Sequence, residues 1–169
     1  MKIRQERPAD HEAVYQVVKE AFASAEHCDG SEQDLVAALR KSPSFIPELS
    51  LVAAEDDKIL GHILFTRASV NKTEVLALAP LSVLPAYQNR GIGLALIRQG
   101  HFVASGLGYE YCVVLGHEKY YPKAGYVPAS RYGIRAPFEV EDGNFMAIRF
   151  RGNAVPLNGV MEYDPAFGL

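Results

Sequence analysis

The residues best placed to do chemistry lie together in Gln88-Asn89-Arg90-Gly91-Ile92-Gly93, where a helical period begins. The first-turn N–H groups of a helix have no intrahelical acceptor, and the helix dipole adds partial positive charge there. An ordinary helix answers with a capping side chain or early acids. Here Asn89 is the one conventional capper, Arg90 puts a cation where an acid is expected, and Gly91 and Gly93 strip side chains from the turn. The pattern suits an anion held against the backbone, and a pyrophosphate fits it best. Just upstream, Pro80 interrupts an apolar strand and cannot donate to a ladder, so pairing is expected to break or bulge. That would leave main-chain groups of Leu81, Ser82 and Val83 free for a ligand.

Other nucleotide and hydrolytic chemistries fail on the same residues. A dinucleotide-binding Gly-x-Gly-x-x-Gly needs glycine at position 96, which is Leu96. The phosphate loop of NTPases needs Gly-Lys-Ser/Thr, and no such triplet occurs. There is no Gly-x-Ser-x-Gly, and His11-Glu12 does not extend to His-Glu-x-x-His because Tyr15 takes the critical place. The five histidines are scattered, and Cys28 and Cys112 lack metal-ligand or redox spacing, so no metal site is expected. Cys112, in the apolar run 112–115, reads as an inert buried thiol.

These residues need a scaffold, and the hydrophobic period supplies one. A first strand begins near Ile3-Arg4. Asp10 reads as a helix N-cap, followed by Val14, Val17, Val18, Ala21 and Phe22 at helical spacing. After a polar loop, 24–30, Ser31 and Asp34 resemble a capping box ahead of Leu35, Val36, Ala38 and Leu39, and Pro43 and Pro47 close the region. Strands over 49–55, 59–70 and 73–83, joined by short turns, form an antiparallel meander. A helix over 91–107, with Ile92, Ala95, Leu96, Phe102, Val103 and Leu107 on its apolar side, leads to a buried strand over 111–115. Strand, helix, strand in this order is a right-handed crossover between parallel strands. A short helix over 118–124 and strands at 126–127 and 145–150 complete the reading. The Gly- and Pro-containing tail, 152–169, receives no element.

The chain has 169 residues, 49% hydrophobic and 22% charged, with a net charge of −3. That is an ordinary globular composition, and one mixed α/β domain over 1–169 is expected. The acidic balance offers no footprint for nucleic acid or an anionic membrane surface. No stretch approaches the roughly 18 continuous apolar residues of a membrane span. The charged N-terminus does not read as a signal peptide, so a cytoplasmic location is expected.

Two segments carry a family resemblance. Gln88-Asn89-Arg90-Gly91-Ile92-Gly93 resembles the Gln/Arg-x-x-Gly-x-Gly/Ala signature of the GNAT superfamily of acyl-CoA-dependent N-acetyltransferases. Tyr120-Tyr121-Pro122-Lys123-Ala124-Gly125-Tyr126 is similar to that family's aromatic-Tyr-x-Lys-x-Gly-aromatic segment. The resemblance implies a mixed, mostly antiparallel central sheet with helices on both faces and a splayed strand pair at the cofactor site. It implies acetyl-CoA as acyl donor and a primary amine of a small molecule or protein as acceptor, and dimers are frequent in the family.

By the same resemblance, Leu81, Ser82 and Val83 would pair with the pantetheine arm through their main chain. Backbone amides of Asn89, Arg90, Gly91, Ile92, Gly93 and Leu94 would hold the pyrophosphate. Gln88 belongs to the motif and could brace the loop; Arg90 faces either the phosphates or solvent. Tyr121 matches the tyrosine that commonly protonates the leaving thiolate, with packing beside the cofactor as its other reading. The general base is open, because the strand 75–83 contains no acid and Glu74 stands only at its start. Glu26, His27 and Asp29 in the first helix–helix loop, which borders the acceptor in the family, and His117 beyond the strand 111–115 are the candidate substrate-side residues. Glu32 and Asp34 are already engaged by the capping signal, and the loop 129–143, with Arg131 and Arg135, could cover the site. The competing function is a catalytically inactive acyl-CoA-binding regulatory module of the same fold.

Overall fold

The structure is a computed structural model that describes residues 1–23 and 29–169. In chain order the strands and α-helices are β1 (Lys2–Gln5), α1 (His11–Phe22), α2 (Glu32–Arg40), β2 (Phe45–Glu55), β3 (Lys58–Val70), β4 (Thr73–Val83), α3 (Ile92–Gly106) and β5 (Tyr111–Leu115). There follow β6 (Val127–Pro128), β7 (Ile134–Arg135), β8 (Phe145–Arg149) and β9 (Gly159–Glu162). The strands lie in the order β1-β2-β3-β4-β5-β8-β6, with β9 joining β3 and β7 joining β9. All pairs in the main path are antiparallel except β4–β5, which the α3 crossover makes parallel.

Period-two alternation divides the core between the two faces. On one face Leu76 and Leu78 of β4, Ile63 and Phe65 of β3 and Cys112 and Val114 of β5 pack under Leu96 and Ile97 of α3. On the other, Val52 and Leu64 meet Val14, Val17 and Val18 of α1 and Val36 and Leu39 of α2. Further along that second face, Val75, Ala77, Val113 and Ala147 are covered by Ala129, Ile134 and Met161 rather than by an α-helix. The tail left unassigned from sequence is therefore partly strand. Its four-residue β9 is too short for periodicity to reveal, and it is fixed by pairing Glu162 and Met161 with Ser69 and Val70.

Tertiary contacts also change several local expectations. The buried stripe of α3 runs through Ile92, Gly93, Leu96, Ile97, Gly100 and Ala104, while Phe102 is 76% exposed. Gly100 explains the rotation: a side chain there would run into the Phe65 ring, so the helix sits down on its glycine face. Asp10 does not cap α1; its carboxylate takes the Arg4 guanidinium and the Arg7 N–H, closing the short 3₁₀ turn Pro8–Asp10. Ser31 does not close a capping box either, because its hydroxyl and N–H both donate to Asp29. Pro47 does not end the preceding region but lies within β2, in the irregular stretch between the Phe45 and Ser50 pairings. The helix expected over 118–124 shrinks to a 3₁₀ turn, Tyr121–Ala124.

A buried ion cluster ties the first strand to α2 and β3. Arg40 reaches Glu6 through both Nε (2.9 Å) and Nη2 (2.7 Å), and His62 Nε2 lies 3.3 Å from Glu6 Oε2. Burial opposes ionisation of Glu6, but hydrogen bonds from His62 and Arg40 outweigh it and hold the carboxyl at about 2. Burial holds His101, among the Phe65, Tyr126 and Phe150 rings, at about 4 and pushes the Cys112 thiol up to about 12.

These shifts set an acid dependence of stability. Glu6 binds its proton less readily folded than at its ordinary 4.5, so its contribution is complete above 4.5 and disappears as pH falls toward 2. The neutral form of His101 is favoured by folding, so its contribution is complete above 6.5 and lost as pH falls toward 4. Each is worth up to about 3 kcal/mol. The urea midpoint should hold steady near neutral pH and fall in two stages on acidification. His101→Phe should shrink the upper stage and leave the lower one.

Candidate functional site

The site begins where two parallel strands part. β4 and β5 pair only through Leu76–Cys112, Ala77–Val113 and Leu78–Val114. Between Leu78 and Leu81 the register against β3 slips by one residue, placing a bulge at Ala79-Pro80. Past it, Leu81, Ser82 and Val83 stay paired to β3 on one edge and pair with no strand on the other among the described residues. The sequence-level expectation of a break at Pro80 holds, for the reason given: proline has no N–H for the ladder.

The opened edge faces the start of α3 across a cleft of about 510 Å³, lined by Leu81, Val83, Gln88, Gly93, Leu94 and Tyr120 among others. No side chain caps α3 and no acid lies in its first turn. Asn89 (φ 62°) and Gly91 (φ 82°) are both left-handed, which turns the loop so that backbone rather than side chains approaches the cleft. Gly93 is needed for a second reason, since a side chain there would strike the Tyr120 hydroxyl. Gln88 Nε2 donates to the Val83 carbonyl at 3.1 Å and so ties the loop to the end of β4. The Arg90 guanidinium lies 5.2 Å from the Tyr87 ring centre and Lys58 Nζ 5.1 Å from it, while Lys123 lines the cleft beside Tyr120. The helix tip is thus cationic in its dipole and in its neighbours, a setting for a multiply charged anion.

Tyr121 lies beside the end of β5, one layer behind the cleft wall, which Tyr120 rather than Tyr121 lines. Its ring packs edge-on against Tyr120 (5.1 Å between centres) and Tyr126 (5.7 Å), over Gly116 just past β5. Burial, with smaller contributions from Tyr120 and Cys112, pushes its phenol well above the ordinary value of 10. Its hydroxyl has no hydrogen-bond partner among the described residues, so it keeps a proton available to donate.

The other expected residues are more dispersed. Asp29 is exposed and engaged with Ser31, whose hydroxyl and amide hold its carboxyl below the usual range. His117 is exposed, its Nδ1 accepting the Lys119 N–H at 3.0 Å. Glu74 pairs with Arg67 (2.9 Å) at the start of β4, the end of the strand opposite the cleft. Glu26 and His27 lie outside the described residues. Ser82 is buried and points away from the cleft, unlike its neighbours Leu81 and Val83. Sequence reasoning passed over Tyr87 and Lys123 as cleft residues. Lys123 lies within the 120–126 segment, whereas Lys58, which reaches the Tyr87 ring, gave no signal because only the fold brings the start of β3 to that ring.

Comparison with known proteins bears on the family and the fold. Residues 47–128 match the family described as an acetyltransferase (GNAT) domain. The chain is 42% identical over 116 residues to the uncharacterized N-acetyltransferase YjhQ of Escherichia coli K12, covering 66% of this chain and 64% of that protein's length, just under two thirds. A GNAT family acetyltransferase from Brucella melitensis, solved in complex with acetyl-CoA, shares 34% identity with a TM-score of 0.83 over 98% of this chain and 97% of its own. The GNAT family N-acetyltransferase YhbS from Escherichia coli, solved with CoA, shares 26% identity with a TM-score of 0.88 over 99% and 92%.

The two loop glycines should fail differently when altered. Nothing lies within 4 Å of an added Cβ at Gly91, so Gly91→Ala meets only the left-handed backbone and should lower the urea midpoint by an amount equal to about 1 kcal/mol with unchanged slope. Gly93→Ala should instead displace the Tyr120 ring and alter the near-UV tyrosine signal.

Proposed function

The chain belongs to the GNAT family of acetyltransferases, and from that premise we propose that it transfers an acetyl group from acetyl-CoA to a primary amine by direct attack. The observation that carries the reading is the uncapped, acid-free start of α3 opening into the same cleft as the unpaired edge of β4. In this reading the diphosphate of CoA takes the place of the missing acid, received by the backbone amides of Asn89 to Leu94. Main-chain groups at Leu81 to Val83 receive the pantetheine arm as an added strand, which brings the thioester to the gap between β4 and β5. The two relatives solved with acetyl-CoA and CoA support the choice of cofactor.

The neutral amine attacks the thioester carbonyl, the tetrahedral intermediate collapses, and the C–S bond breaks. Tyr121 gives its proton to the departing sulfur. A phenol raised by burial holds that proton firmly at neutral pH, and the thiolate is the base that draws it off. One domain over residues 1–169 carries these parts, and no described helix is long and apolar enough to cross a membrane.

Calorimetry with CoA and acetyl-CoA turnover over a panel of primary amines test the proposal. Tyr121→Phe should bind CoA as the parent does and lose about 100-fold in kcat. Absence of any heat of association, in a folded sample, would overturn the reading. Binding without thiol release on any amine would favour the regulatory acyl-CoA-binding module instead.

A further inference from the structure

The only acid of β4, Glu74, is paired with Arg67 at the end remote from the cleft, so near the cleft β4 has none to accept the proton that the acceptor nitrogen must lose, yet its far face carries an unexplained polar pair. Alternation that turns Leu81 and Val83 toward the cleft sends Ser82 to the opposite face of the sheet. An amine that reached the thioester from the side opposite α3 and the cofactor cleft would approach along that face. Ser82 is paired directly with His62 across the β3–β4 ladder, so their Cβ atoms stand about 5 Å apart on the same face. Both residues are buried, at 1% and 0% exposure. Ser82 Oγ and His62 Nδ1 are each without a hydrogen-bond partner among the described residues. Two orphaned polar atoms on paired residues of one sheet face are costly unless they serve one another, directly after a turn of the serine χ1 or through one water.

The opposite side of the imidazole is fully engaged. His62 Nε2 lies 2.9 Å from Ser50 Oγ of β2 and 3.3 Å from Glu6 Oε2. Glu6 is clamped by Arg40 of α2, and its other oxygen lies 3.4 Å from Nε2 of His11 at the start of α1. The groups facing His62 are therefore Glu6, Arg40, His11, Ser50 and Ser82. An ionised Glu6 beside Nε2 fixes the proton on that nitrogen and leaves the Nδ1 lone pair free to accept, the logic by which an acid orients a histidine base. Burial favours the neutral ring.

We propose that His62, acting through Ser82 and oriented by Glu6, is the proton acceptor of the acyl-transfer reaction. The inference rests on the acetyltransferase reading above. Attack forms the C–N bond and leaves a positive, acidic N–H on the tetrahedral intermediate. That proton passes to Ser82 Oγ, directly or along one water, as the serine proton moves to His62 Nδ1. The C–S bond breaks and sulfur takes the Tyr121 proton. Glu6 stays ionised, balancing the imidazolium; His62 returns its proton by the same route as products leave, and Tyr121 regains one from solvent. Glu6 and Ser82 are positioning and relay groups, and Arg40 keeps the carboxylate charged.

Imidazole ¹⁵N NMR and pH–rate profiles test this together. In the wild-type protein the His62 signals should report Nε2–H with a bare Nδ1, and Ser82→Ala should shift the Nδ1 resonance. His62→Gln, which keeps an amide near Glu6 and Ser50, should bind CoA normally, lose about 100-fold in kcat and lose the acidic limb of the profile. A proton found on Nδ1, an Nδ1 signal indifferent to Ser82→Ala, or a His62→Gln profile that keeps the acidic limb would overturn the relay. A wild type that acetylates no amine would sink the acetyltransferase reading itself, and is distinguishable because the NMR result does not depend on turnover.

Discussion

The separation of β4 from β5 after Leu78 is the constraint on which the rest of the molecule depends. Parallel strands joined by a helical crossover normally continue side by side, and here the bulge at Ala79-Pro80 ends the pairing while β4 runs on to Val83. One edge of the extended segment stays anchored to β3, so the backbone is held in strand geometry with its other edge open. The start of α3 lies against the same opening because the chain has only Leu84 to Gly91 in which to turn. An unpaired strand edge and an uncapped helix tip are each unfavourable alone. Placed on one cleft, they are the complementary halves on which the proposed binding of a long ligand with an anionic end rests.

The two faces of the sheet then divide the labour. The α3 face is apolar up to its cationic tip, where Lys58, Arg90 and Lys123 gather around two tyrosines. The other face carries the buried Glu6–Arg40 pair, which joins the end of the first strand, α2 and His62 on β3. A buried pair of this kind gives modest net stability, but removing one partner strands the other charge. Its value lies in fixing where α2 and His62 sit. Further along, the segment from Ala129 to Met161 closes the face that the helices leave bare.

Much of this was legible in the residues, and the failures are instructive. The meander, the crossover helix, the bulge at Pro80 and the glycine loop follow from local chemistry: period-two alternation, a missing N–H, absent side chains. Phe102 was misplaced because helical spacing alone cannot say which of two apolar arcs is buried; the glycine at position 100 against Phe65 decided it. Asp10 and Ser31 looked like caps because their types favour that role, but each found a partner outside the helix it precedes.

What the sequence determined by itself is whatever short-range stereochemistry controls: the element order, the break in β4 and a helix start poised for an anion. What only the tertiary structure decided is which distant residues meet. Lys58 beside Tyr87, His62 opposite Ser82, Glu6 under Arg40 and β9 against β3 all depend on strand register and on how elements stack. No local pattern encodes those contacts, because they are selected by the packing of the whole core rather than by the preferences of neighbouring residues.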